Sequence, residues 1–295
     1  MTELTAATAA ARWAAPSRRM YKLLIGPVEK ALERSNTLVV APDRALAFAP
    51  FETLTAATPL IEKFAIEYVP SATALAELRN RANRTDKGGA LLALGDPAYT
   101  RAGGASERRT AWTPLPNTRD EVLGIGGLFA PEKRRIFVGT AASERQLNAE
   151  DLHAVRYLHI AAHGYVDEGL PARSGLALSD GVLEVAEILR LRLRAEMVTL
   201  SACRSGLGQT LAGEGVMGLS RAFLFAGARS AVVSLWNVSD AATADLMKTF
   251  YSNLNRGQPP AHALRKARLR LAKGPRRARR YPYFWAPFIF IGAPE

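Results

Sequence analysis

The sequence predicts an α/β fold, a mostly parallel sheet flanked by helices with an N-terminal supporting half, and three observations carry that expectation. Strand-like and helix-like runs alternate through the second half of the chain, which implies parallel strands joined by helical crossovers that cover both faces. The strand-like runs, LLALGDPA (91–98) and SAVVSLWNV (230–238) among them, are short and nearly all apolar, as strands buried on both faces are. Two such runs end in a chemically distinctive side chain. YLHIAAHGY (157–165) contains His163 followed at once by Gly164. The run Met197, Val198, Leu200 leads into Ser201, Ala202 and Cys203, with glycines following at 206, 208, 213 and 215. A thiol where a buried strand opens into a flexible loop stands where nucleophiles are found, and an imidazole at a second strand end suggests a Cys-His hydrolase.

Composition sets the limits. The chain has 295 residues and is 48% hydrophobic, enough for a sizeable core in one large or two small domains. Its longest apolar stretches are about eight residues, against the roughly 20 a membrane-spanning helix requires, so no membrane association is expected. The alanine-rich opening with Glu3 lacks a basic start and a leucine-rich centre, so it does not read as a secretory signal and a cytoplasmic location is expected. A single cysteine cannot form an internal disulfide, and histidines at 153, 159, 163 and 262 show no metal-ligand spacing. Neither a metal nor a cofactor is expected.

The net charge of +12 is concentrated in one stretch. Nine basic residues and no acidic one lie between Arg265 and Arg280. Ala261, Leu264, Ala267 and Leu271 recur at helical spacing within it, so its first half reads as the solvated face of a surface helix followed by a basic loop after Gly274. No aromatic residue interleaves with the arginines to stack bases, so nucleic acid is an unlikely direct ligand.

Taken in order, residues 1–18 read as a tail or a helix start, and MYKLLIGPVEKALER as helical with a kink or new start at Pro27. TLVVAPDRALAFAPFETL (37–54) reads as a strand, a Pro-Asp turn, a second short strand and a further turn. The interval from Tyr99 to Asn117 has the composition of a surface loop. TRDEVLGIGGLF then reads as a helix and RRIFVGT (134–140) as a strand. Ser143 and Gln146 have the spacing of a capping box opening a helix that ends near Leu152. GLALSDGVLEV (175–185) carries Asp180-Gly181, a strong hairpin signal, between the His run and the Cys run, so the hairpin should rim the cleft. A helix with Val216, Leu219, Phe223 and Ala226 on one stripe stops at Gly227. The SDAATADLMKTFYSNLNRG segment reads as a helix capped by Ser239 or Asp240, with Met247, Phe250, Tyr251 and Leu254 facing inward. FWAPFIFIG (284–292) is a last strand, placed at a sheet edge because of Pro287.

LHIAAHG, the Asp-Gly hairpin, LSACRSGLG, GEGVMGLSRAFLFAGARSAVVSLWNVSD, LMKTFYSNL and YPYFWAPFIFIG together resemble the CHAT domain, a caspase-like, separase-related peptidase domain of clan CD. The likeness is close from Leu158 to Gly292. MYKLLIGPVE, VVAPDRALAFAPFETL, GDPA and LPNTRDEV resemble its N-terminal half more loosely. The resemblance implies a tail over 1–18, a supporting half over 19–133 and a caspase-like catalytic half over 134–295. It implies His163 and Cys203 as a catalytic dyad and the backbone N–H groups of Gly164 and Cys203 as an oxyanion hole. It also implies a protein substrate in a bacterial regulatory or defence pathway; with no helical repeats in this sequence, a recruiting module is either absent or supplied by a partner protein. In separase the LWxVxD pattern, here Leu235 to Asp240, places an acid where a basic side chain binds. Asp240 is equally well placed as a helix cap. Trp236, Glu214 and Asp180 are further candidates for the substrate cleft, and Arg204 stands where many members of the family have an acid.

Residues alone separate some alternatives. A cysteine phosphatase needs Arg six positions after the thiol, and that position is Gln209. An α/β-hydrolase carries its nucleophile before its His in the chain, the reverse of the order here. The remaining alternative is a catalytically silent scaffold that binds protein or nucleic acid through the basic run.

Overall fold

A computed structural model describes residues 3–80, 89–99, 112–165, 167, 169–201, 214–236 and 240–292, with backbone alone at 3–12, 214–216, 240–241 and 277–278. The chain opens with α1 (Glu3–Leu24), then β1 (Thr37–Val40), β2 (Ala65–Tyr68), α2 (Ala72–Asn80) and β3 (Ala90–Pro97). Next come α3 (Pro116–Gly126), β4 (Arg134–Gly139), α4 (Glu144–Ala149), β5 (Val155–Ala161) and β6 (His163–Tyr165). The hairpin strands β7 (Gly175–Ala177) and β8 (Val182–Glu184) precede α5 (Val185–Ile188), β9 (Met197–Leu200) and α6 (Glu214–Phe225). The chain continues through β10 (Ser230–Ser234), α7 (Asp240–Asn255), α8 (Pro260–Ala272) and α9 (Pro282–Trp285) to β11 (Phe288–Gly292).

Eight strands form one sheet in the order β1-β2-β11-β10-β9-β5-β3-β4, and only the β10–β11 pairing is antiparallel. Successive side chains of a strand point to opposite faces, and both faces are covered. Leu158, Ile160, Val198, Leu200 and Val233 pack with Leu219 and Phe223 of α6. Tyr157, Met197 and Val232 pack on the other face with α3, α7 and α8 through Val122, Met247, Phe250 and Leu264. A second sheet, β6-β7-β8, is antiparallel throughout. No helix among the described residues is long and apolar enough to cross a membrane.

The stop of α6 shows how a local residue shapes the layer. Gly227 has φ +115, and a Cβ there would stand 2.2 Å from the Leu193 carbonyl oxygen. Only glycine fits both demands. The chain turns there directly into β10.

Three expectations are corrected. Residues 44–48 form a 3-10 turn rather than a second strand, with Arg44 at φ 48; Pro42 and Pro50 bracket the segment, and each ring removes a backbone donor. β11 lies inside the sheet between β2 and β10 rather than at an edge, because Pro287 falls just before the strand and leaves its ladder intact; the Pro287 carbonyl accepts from Leu235 N–H at 2.8 Å. The helix opened by Ser143 ends at Ala149; Ser143 Oγ accepts from Gln146 N–H at 3.0 Å, while the Gln146 side chain turns to Glu150 instead of closing the box. Residues 3–18 belong to the start of α1, the helix start that the sequence offered as one reading, and Ser17 Oγ donates to the Thr53 carbonyl at 2.7 Å. Strands of the 19–133 and 134–295 segments interleave in one sheet, with β3 seated between β4 and β5.

Candidate active site

The strand that leads to the histidine and the strand that leads to the cysteine are neighbours. β5 and β9 pair in parallel with Ile160 opposite Leu200, and Ser201 N–H donates to the Ile160 carbonyl at 3.0 Å. β10 flanks β9 on its other side, also in parallel. The C-terminal ends of β5, β9 and β10 therefore line one edge of the sheet, where open α/β sheets hold their ligands. Cys203 lies outside the described residues.

β5 stops at Ala161, and His163 opens β6, opposite Ala177 of the hairpin. The change of sheet sets His163 apart from His159, although even spacing in one straight strand would put both on one face. Gly164, the second proposed oxyanion donor, follows on β6 in register with Leu176.

The His163 imidazole is packed against two aromatic rings, which also touch each other. Trp112 stacks on it at a centroid distance of 5.4 Å and an interplanar angle of 20°, and Tyr99 lies 5.3 Å away. Its Nε2 stands 2.7 Å from the Thr113 carbonyl oxygen. A carbonyl only accepts, so Nε2 carries the hydrogen and the lone pair resides on Nδ1. Burial lowers the imidazole pKa, and the bond to Thr113 partly opposes that shift. The ring is thus held neutral, in one tautomer and one plane.

The parts of this cradle are fixed in turn. Burial pushes the Tyr99 phenol pKa up, so it stays protonated. Its oxygen accepts from the His163 N–H and lies within donating distance of the Ala177 carbonyl, both at 3.3 Å. Thr118 Oγ1 accepts from Asp96 N–H and donates to the Leu115 carbonyl, both at 2.7 Å, and Arg119 pairs with Asp96 at 2.9 Å. These bonds clamp the end of β3, which carries Tyr99, to the start of α3, which Trp112 and Thr113 precede. Sequence reading treated this interval as a surface loop and missed all three residues. The available signal was a Tyr and a Trp in an otherwise polar stretch.

His159, in contrast, is wholly buried, with Nδ1 3.1 Å from Tyr251 Oη and Nε2 3.0 Å from Glu121 Oε1. Tyr251 Oη also lies 3.0 Å from Thr199 Oγ1, and burial holds its phenol protonated. His153 is exposed in a turn, and His262 is half-buried with Nε2 3.5 Å from Thr37 Oγ1. Burial, then Arg265 and Lys266, lower the His262 pKa. Among the described residues no group of three or more His, Cys, Asp or Glu is arranged to hold a metal.

The candidate substrate residues fall in different places. Both Asp180 oxygens accept backbone N–H groups at the start of α4, Glu144 at 2.8 Å and Arg145 at 3.1 Å, so the carboxylate joins the hairpin turn to that helix. Trp236 lies just beyond β10; its Nε1 donates to the Tyr283 carbonyl at 3.0 Å and its ring packs near Trp285. Glu214 and Asp240 are the first residues of α6 and α7, and their side chains lie outside the described residues.

Comparison with known proteins gives this architecture relatives. Tetratricopeptide repeat protein 28 of mouse and that of human are each 27% identical over 331 residues, covering 94% of this chain and 13% of theirs. This chain therefore spans a small part of the curated relatives it matches. Two crystal structures of the Saccharomyces cerevisiae separase–securin complex superpose with TM-scores of 0.55 and 0.56 at 16% identity. They cover 84% and 88% of this chain and 15% of the matched chain, a likeness of fold. The CHAT domain family profile matches residues 14–293, nearly the whole sequence. With its mostly parallel caspase-like sheet, the chain belongs to the CHAT domain family.

Proposed function

We propose that the protein is a cysteine endopeptidase with a Cys203–His163 dyad. One observation carries the reading: His163 is held neutral with its lone pair on Nδ1, at the end of the strand paired with the one that leads to Cys203. Both residues stand three positions beyond the Ile160–Leu200 rung in sequence. Nδ1 takes the thiol proton as sulfur attacks the peptide carbonyl, and the backbone N–H groups of Cys203 and Gly164 receive the oxyanion. The tetrahedral adduct collapses with cleavage of the C–N bond, and the imidazolium gives its proton to the leaving amine. A water molecule, deprotonated by the same ring, then attacks the thioester, and its collapse releases the acid product and the thiol.

In this reading the substrate is a protein cut after a basic residue, with Asp240 receiving its charge and Trp236 forming a wall. Glu214 steadies the loop before α6, and Asp180 holds the hairpin that rims the cleft. The setting is a bacterial regulatory or defence proteolysis system in the cytoplasm, with a partner that supplies helical repeats. A second reading, a catalytically silent scaffold, has one support: the name of the curated relatives describes repeats and states no activity.

Hydrolysis of a diverse peptide library by the wild type, Cys203→Ala and His163→Ala, with cut sites read by mass spectrometry, separates the two. Cleavage by the wild type alone supports the dyad, and a basic residue before the cut supports the role of Asp240. No cleavage, together with a Cys203 unreactive toward a thiol-directed peptide probe, favours the scaffold.

A further inference from the structure

The basic run divides into two sets of residues with different surroundings. Arg265 donates to the carbonyls of Ile61 and Glu62, Arg268 to the buried Glu52, Lys273 to Glu62, and Arg280 to the Gly274 carbonyl. These cations tie α8 and the loop after it to the rest of the molecule. Arg270 and Arg276 make no such bond among the described residues, and neither does Lys248 of α7.

Those three border a cavity of about 530 Å³ between α7, α8 and the loop beyond Gly274. Its floor is aliphatic, built by Leu128, Leu246 and Leu271. Its one carboxylate, Asp245, is neutralised by Arg279. The rim is therefore cationic over an apolar base. Among the described residues, no aromatic side chain lines it on which a nucleobase could stack. A bare inorganic anion would leave the leucines uncovered.

We propose that this groove docks an acidic amphipathic segment of a partner protein, its apolar side chains on the leucine floor and its carboxylates against Lys248, Arg270 and Arg276. Charge complementarity and helix-in-groove packing both favour that occupant. The groove lies on the α7–α8 side of the sheet, and the inference holds whether or not the cleft at His163 is catalytic.

Fluorescence anisotropy with the whole chain tests it. The probe is a labelled helical peptide with leucines at i, i+3, i+4 and i+7 flanked by glutamates, and without Lys or Arg. Lys248→Glu/Arg270→Glu/Arg276→Glu is expected to weaken binding at least about tenfold, and Ser252→Trp, which fills the groove without changing its charge, is expected to do the same. Reversing the exposed Arg18, Arg19 and Lys22 on α1 is expected to change it by less than about threefold. The idea is overturned by equal losses in both triple variants or by undiminished binding when the peptide's leucines are replaced by serine. It is also overturned by preferential displacement of the peptide by a single-stranded oligonucleotide, or by no binding at about 1 mM peptide.

Discussion

Two histidines four residues apart stand in different chemical situations. His159 lies inside β5 with both ring nitrogens at hydrogen-bonding distance from buried side chains of α3 and α7. His163 begins the next strand, with one nitrogen tied to a backbone carbonyl and two neighbouring aromatic rings packed against it. The first ring joins helices to the sheet. The second is oriented by the Thr113 carbonyl, which fixes the hydrogen on Nε2. Burial does not distinguish the two, since both are almost completely buried. What separates them is the partner: buried side chains of two helices for His159, a backbone carbonyl for His163.

The largest expected effect breaks the pair apart by activity. His163→Ala should lower peptide hydrolysis by at least about 10³-fold with the fold retained, as removal of a general base does. His159→Ala should leave the activity of each folded molecule nearly unchanged. Loss of activity in both variants at equal folded concentration would erase the distinction.

Stability should show the reverse order. His159→Ala leaves the Glu121 carboxylate buried without its partner, and about 3 kcal/mol should be lost in denaturant unfolding. A loss below about 1 kcal/mol would mean that the Glu121–His159 contact is not what joins α3 to β5.

Trp112→Ala sharpens the contrast through pH. Burial lowers the His163 pKa, so admitting water should raise it toward the ordinary value near 6.5. The acid limb of the activity profile, or of Cys203 alkylation, should then move to higher pH; the titration itself should cost less than about twofold at neutral pH, and loss of the stacked support should bring the total to about tenfold. The same shift acts on stability. Between the lowered folded value and about 6.5 the unfolded chain binds more protons, so stability falls as pH falls through that window. The variant should narrow this loss, and an unmoved acid limb would show that the stacked indole does not set the titration.

Asp180→Ala should have the smallest effect, about 1 kcal/mol of stability, from two lost acceptors at the start of α4. A large loss of activity without a loss of stability would instead give Asp180 a direct part in substrate binding.

Much of this was legible in the sequence because the signals were local. Asp180-Gly181 marked the hairpin, Gly227 marked the end of α6, and apolar runs too short for helices marked β3, β5, β9 and β10. Local signals misled where pairing partners were distant. Pro287 suggested an edge strand because the sequence does not reveal that pairing starts one residue later. The RALAF segment has the composition of a strand and lacks a neighbour to pair with. The basic run read as one solvated face, yet Arg268 is buried against Glu52, 216 residues away in sequence.

By itself, then, the sequence determined the alternation of strands and helices, the hairpin, and the strands β5 and β9 that lead toward His163 and Cys203, because hydrophobic period, turn chemistry and residue identity are properties of neighbours. Tertiary structure decided the surroundings of each histidine. Glu121 and Tyr251 reach His159 across sequence separations of 38 and 92 residues, and Thr113 reaches His163 across 50. A side chain's hydrogen-bond partners and its access to water are set by whichever segments pack around it, and only the folded sheet brings those segments together.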